Sequence, residues 1–323
     1  MSMIQRTIRA IRGRFSRIDR SKNLDSQRTE MYSMLADLYK ELEGLKAEAL
    51  ESEHLEVLPV HILPLDLKRT TELAIPRSLD PGAYFVPLSE EFIQQRPMDT
   101  TDPETQRGLN NVATILRPGY SSSTVQYRPL SSYRKAGVLV DRLVMEMSSR
   151  QLNCEAAMPN MTLITKWRGN TDFHLNPAFD RHDWDHRDGY HWIIDFFYAC
   201  SSHPTFPYIK VIMHHSEAKD PELVLKAEVM AIVATMWSRL CTETLLDHLI
   251  VPVMLFTFAR CHVRILIGIH DGQDLRIAMS EFIEYSEGSQ DLWDLLTRYL
   301  GYDFNHQLTT EKLPSAYLEE DLS

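Results

Sequence analysis

The stretch "DPELVLKAEVMAIVATMWSRL", residues 220–240, is apolar nearly all the way round a helix. A helix with one polar face can lie at a surface, whereas one without must be covered on every side. Its neighbours supply the cover. "YIKVIMHH" precedes it, and "VPVMLFTFA" and "HVRILIGIH" follow. These are short, continuous apolar runs rich in β-branched and aromatic residues, the pattern of strands buried on both faces. A buried helix set among buried strands predicts an α/β (α+β) fold with a mixed central sheet flanked by helices. Asp220 is the expected cap of that helix, with Pro221 in its first turn.

The rest of residues 131–323 extends this core domain. "YRKAGVLVDRLVMEMSSR" places Leu139, Val140, Leu143, Val144 and Met147 on one helical face. "MTLITKW" and "YHWIIDFFYA" read as two further strands. Asp271-Gly272 is a hairpin signal leading into "QDLRIAMS", and "SQDLWDLLTRYLG" is a final helix ending at Gly301. The expected order is helix, three strands, helix, then at least three strands.

Residues 1–54 form a helical arm in two parts. Ile4, Ile8, Ile11, Phe15 and Ile18 step by four and three, and seven basic residues surround them against Asp19 alone. Such a basic amphipathic helix suits a membrane surface, a mitochondrial presequence, an acidic partner, or the acidic body of its own chain. A second helix, capped at Asp25 or Ser26, aligns Met31, Leu35, Leu38, Leu42 and Leu45. It is expected to pack within the chain, with homodimer formation through the N-terminal helices as the alternative. Residues 55–130 hold nine of the sixteen prolines. Short extended pieces separated by proline and serine turns predict a segment wrapped along the domain surface.

Composition narrows the function classes. The chain has 323 residues, is 44% hydrophobic and 24% charged, and carries a net charge of −11. These are the proportions of a globular protein, and no apolar run is long enough for a transmembrane segment. No G-x-G-x-x-G, G-x-x-x-x-G-K-[ST] or G-x-S-x-G occurs, which removes the common nucleotide-binding and α/β-hydrolase readings. Cys154, Cys200, Cys241 and Cys261 form no C-x-x-C pair. Scattered thiols fit a reducing compartment, cytoplasmic or nuclear, with a mitochondrial address left open by the basic arm. An acidic body disfavours a long nonspecific nucleic-acid footprint, because counterion release needs basic groups on phosphates.

The element order, together with Asp195 in "WIIDFF" and Glu217-Ala218-Lys219 in "HHSEAKD", resembles the PD-(D/E)XK nuclease-like core over about residues 135–285. The resemblance implies that Asp195 is the acidic residue of the second strand and that Glu217 and Lys219 are the E-x-K pair. It further implies Glu146 on the first helix as an extra carboxylate. Such carboxylates hold Mg²⁺ or Mn²⁺, which polarises a scissile phosphate and activates water, while the lysine steadies developing charge. Residues 249–283 are also similar in style to a block found in proteins of filamentous fungi that carry no transferable activity.

A second cluster is "RHDWDHRDGYHW", residues 181–192. His182 and His186 are four apart and would share a helical face, where they could bind a transition metal with Asp183 or Asp185. Gly189 and the charge density favour a loop instead. On the nuclease-like core that loop borders the cleft, and His182, His186 or His191 would act as general base or contact substrate. His214 and His215 stand at the edge of the third strand. Three functions follow from different classes. One is divalent-metal-dependent processing of phosphodiesters, with nucleic acid or tRNA as partner. Another is a noncatalytic interaction or homo-oligomeric role. The third is a small-molecule or tRNA-dependent enzyme of fungal secondary metabolism, with a substrate pocket near Trp184, Trp192, Phe196 and Tyr198.

Overall fold

The structure, a computed structural model, describes residues 3–67, 76–117, 128–151, 160–165, 167–169, 192–200, 205–216, 220, 222–286, 290–301 and 303–314. Side chains are described within these from residue 23 onward, except at 128–131, 200 and 303. The chain opens with α1 (Met3–Gly44), β1 (Ala49–Leu50), α2 (Ser52–Val57) and β2 (Val60–Pro64). β3 (Phe85–Val86), α3 (Glu90–Gln94) and α4 (Pro103–Leu116) precede α5 (Arg128–Ser149). Then come α6 (Met161–Ile164), β4 (Trp167–Gly169), β5 (Trp192–Cys200), β6 (Ile209–His215) and β7 (Val224–Leu225). α7 (Lys226–Leu240) crosses to β8 (Val253–Ala259), β9 (His262–His270), β10 (Leu275–Met279) and β11 (Ile283–Glu284). α8 (Gln290–Gly301) leads into β12 (Asp303–Phe304).

The main sheet runs β2-β10-β9-β8-β6-β5-β4, with β11 beside β9. β4, β5 and β6 form an antiparallel meander. β6 and β8 are parallel neighbours, and α7 makes the crossover that such a pair requires. The sheet is therefore mixed and flanked by helices, as the apolar runs predict. One face packs on α7, with α1 behind it through Met31, Leu35, Leu38 and Leu42. The other packs on α5 and α8 through Leu139, Leu143, Trp293 and Leu296. Every residue of β6 and β8 is buried, which is why β8 reads as a nearly continuous apolar run and β6 as one interrupted by Lys210.

Several expectations need correction. The arm is one continuous helix, not two, so neither Asp25 nor Ser26 is a cap. Its second half packs within the chain as expected. A buried Arg28 fixes it there, donating to the carbonyls of Leu240 at the end of α7 and of Leu245 and His248 in the turns after it. Residues 161–164 are helical and only 167–169 are strand; Asn160 accepts from the Leu163 N–H and opens the helical turn instead. The proline-rich segment holds α4, which begins at Pro103 under an Asp102 cap. It also supplies β2, which adds to the sheet edge in parallel with β10. α7 starts at Lys226, because residues 224–225 are taken up in pairing with β1. Asp220 instead accepts from the Glu222 N–H in a turn before the helix. The hairpin at Asp271-Gly272 is present, with Gly272 at a φ of 103° that side chains rarely adopt.

Candidate carboxylate site

The site lies where the β5–β6 pair meets α5. The two strands pair Ile194 with Met213 and Phe196 with Ile212, so their register shifts at Asp195. The shift changes which face the side chains take. Ile194 joins the core on the α7 side, whereas Phe196 and Tyr198 pack on the α5 side. A bulge of this kind adds one residue outside the ladder. Here that residue is Asp195, whose Oδ2 lies 2.7 Å from Nδ1 of His214 on β6. An ionised carboxylate can only accept, so the His214 Nδ1 carries the hydrogen and donates it.

α5 builds the wall. The ring of Tyr133 lies 4.2 Å from that of His214, centroid to centroid. One turn on, Gly137 brings the helix backbone close to His214; a Cβ there would stand 3.4 Å from Nε2. One further turn brings Asp141, an exposed residue. The protein mass around its carboxyl and the Asp195 carboxylate both raise its pKa, and His214 partly offsets this. Tyr133, Gly137 and Asp141 are spaced by four, so they share one helical stripe. The His214 side chain is 8% exposed and that of Asp195 20%, so the carboxylate, not the imidazole, is the group offered to solvent.

Glu146 has a different place. It is fully buried, accepting from Arg142 Nη2 at 2.5 Å and Arg150 Nε at 2.6 Å. Arg150 also pairs with Asp294 of α8, so the cluster ties α5 to α8. The α5 carboxylate that feels the charge of Asp195 is Asp141. Sequence reasoning passed over it because its neighbours Val140, Leu143 and Val144 advertise the buried face. Its spacing from Gly137 was the available signal.

His215 points to the other side of the sheet from His214. It is fully buried, with Nε2 3.1 Å from Thr257 Oγ1 of β8. Met213 likewise belongs to the α7-side core. Lys210, also fully buried, lies 3.9 Å from the Trp167 ring centre and donates to the Leu300 carbonyl at 2.6 Å, near the end of α8. Trp192 packs with the α7-side core and Tyr198 with the α5-side core, so the sheet separates these two residues of the expected aromatic pocket. Burial pushes the Tyr198 hydroxyl up to about 12. Trp184, His182, His186, His191, Glu217 and Lys219 lie outside the described residues.

Among the described residues no group of three or more His, Cys, Asp or Glu side chains is arranged to hold a metal ion. No helix among them is long and apolar enough to cross a membrane. Comparison of the chain with protein-family models, curated proteins and solved structures finds no match.

Proposed function

We propose that the chain is a divalent-metal-dependent phosphodiester-processing enzyme on a PD-(D/E)XK-like core, with Asp195 and Asp141 as its carboxylate pair. One observation carries the reading: Asp195 stands at the register shift of the β5–β6 pair with its carboxylate against His214, and, alongside burial, its charge raises the pKa of Asp141 on α5. The helix–meander–helix–strand order supports it, since the resemblance expects its acidic residue on the second strand, where Asp195 stands in β5. The donor set is hard and oxygen-only, which suits Mg²⁺ or Mn²⁺ held by one or two carboxylates, with the remaining positions left to water and substrate phosphate. It does not suit a closed four-ligand zinc site. Once bound, such an ion supplies Lewis-acid polarisation of a phosphoryl oxygen and a more acidic water. The chain's own residues then have distinct tasks. Asp195 and Asp141 would hold the ion, and His214 fixes the rotamer of Asp195.

The test is Mg²⁺- or Mn²⁺-dependent cleavage of a small chromogenic phosphodiester, of oligonucleotides and of tRNA. Activity should fall at least about tenfold in Asp195→Asn and in Asp141→Asn while both variants remain folded. No metal-dependent cleavage of any of these substrates by the wild type would instead favour a noncatalytic interaction role.

A further inference from the structure

We infer that His214 is the positioning residue of this site, holding the Asp195 carboxylate in one ligand-ready rotamer. The inference rests on the carboxylate-pair reading above and assigns a task to a residue that the E-x-K pattern leaves out.

Three contacts fix the imidazole. Nδ1 donates to Asp195 Oδ2 at 2.7 Å. One ring face lies against Tyr133, with 4.2 Å between ring centres. The Nε2 edge faces the α5 backbone at Gly137, where a Cβ would stand 3.4 Å from it. A ring held at its face, its edge and its donor nitrogen has little freedom left, so the hydrogen bond it gives has a fixed direction. Asp195 sits at a register shift, where the regular ladder constrains the backbone least. Its side chain therefore needs a directional partner to keep one carboxylate oxygen occupied and present the other. Partners of this kind orient metal-binding groups, and their loss typically weakens metal binding about 10–100-fold.

Two substitutions separate orientation from packing. His214→Phe keeps a ring packed against Tyr133 but removes the donor. His214→Asn loses the ring but places an amide N–H near the Nδ1 position. The experiment is titration of the full chain with Mn²⁺ alone, followed by calorimetry, with the melting transition of each apo variant recorded alongside. His214→Phe should bind Mn²⁺ at least about tenfold more weakly. His214→Asn should stay within about threefold of the wild type, whatever its melting temperature. Equal Mn²⁺ affinity in wild type and His214→Phe would overturn the positioning role and leave the carboxylate pair standing. Equal loss in both His214 variants would reduce His214 to packing and overturn the role too. Absence of Mn²⁺ binding by the wild type would remove the carboxylate-pair reading itself, and the inference with it.

Discussion

Arg264 of β9 and Glu228 of α7 form an ion pair in which neither side chain reaches solvent. Arg264 Nε donates to Oε1 at 2.8 Å, and Nη2 donates to Oε2 and to the Leu223 carbonyl. Glu228 also accepts from the Leu225 N–H at 2.8 Å, so the pair pins the start of α7 to the sheet. The guanidinium lies 4.2 Å from the centre of the Phe282 ring. Removing one partner of a buried pair leaves the other as an uncompensated charge and costs about 3–5 kcal/mol. Glu228→Gln should lower unfolding stability by about that amount in urea titrations. Glu228→Leu with Arg264→Met should recover most of it, because the stranded charge is gone.

Two glycines should respond in opposite ways to alanine. At Gly268 on β9, a Cβ would stand 2.7 Å from Cγ2 of Ile232 and 3.2 Å from Cε of Met236, both on α7. The branch of Ile232 is held by a buried helix and has no room to retreat. Gly268→Ala should therefore cost about 1–3 kcal/mol through overpacking. At Gly137 the corresponding contact is 3.4 Å, ordinary van der Waals range, and the position is in mid-helix. Gly137→Ala should be neutral or stabilise by up to about 1 kcal/mol, since alanine loses less entropy in a helix. Thermal melts of the two variants decide both statements.

Arg28 connects α1 to the rest of the chain. Its guanidinium donates to three carbonyls at the end of α7 and in the turn after it, and burial lowers its pKa. Arg28→Met keeps the stem but removes the donor these buried carbonyls share, so a loss of about 2–4 kcal/mol is expected. Hydrogen exchange in residues 31–42 of α1 should accelerate more than in β8. Uniform acceleration would contradict a local role.

His270 sets a pH dependence. It is buried, and its Nδ1 accepts from the Gly272 N–H at 3.2 Å, which requires an unprotonated nitrogen. Burial lowers its pKa, and the carboxylates of Asp271 and Asp274 only partly oppose this. A folded-state pKa below the unfolded one means the folded chain resists protonation. Stability from this residue is therefore complete above the ordinary imidazole range and is lost as pH falls through that range towards the lower folded value. His270→Asn keeps an acceptor near the Nδ1 position but cannot titrate. The stability difference between about pH 8 and about pH 5.5 should be smaller in this variant than in the wild type. An unchanged difference would place the pH dependence elsewhere.

Much of the architecture is legible in the sequence because burial leaves period and composition behind. β6, β8 and β9 appear as predominantly apolar runs, and the helix between β6 and β8 appears as one with hardly any polar face. Met31, Leu35, Leu38 and Leu42 mark the packed side of α1 by their spacing. What stays hidden depends on tertiary contacts. "MTLITKW" has strand composition, yet the Asn160 cap turns residues 161–164 helical. Pro221 is a good helix opener, yet residues 224–225 are drawn into a strand pair with residues 49–50.

The site divides along the same line. Asp195 stands out as a lone acid in an apolar strand, and a lone acid there needs a reason. Its place outside the ladder depends on a bulge, which one-residue alternation cannot reveal. Glu146 and Asp141 are both acids on one helix, and only the fold distinguishes them. One is held between two arginines and the other faces a second carboxylate.

The central claim is that Asp141 and Asp195 act on one divalent cation together, and a double-mutant cycle of Mn²⁺ affinity tests it most directly. Wild type should bind one Mn²⁺, and Asp141→Asn and Asp195→Asn should each weaken binding at least about tenfold. The double variant should lose less than the two single losses combined, because both remove parts of the same site. Mn²⁺ binding that is undetectable in the wild type, or as tight in both single variants as in the wild type, would contradict the account.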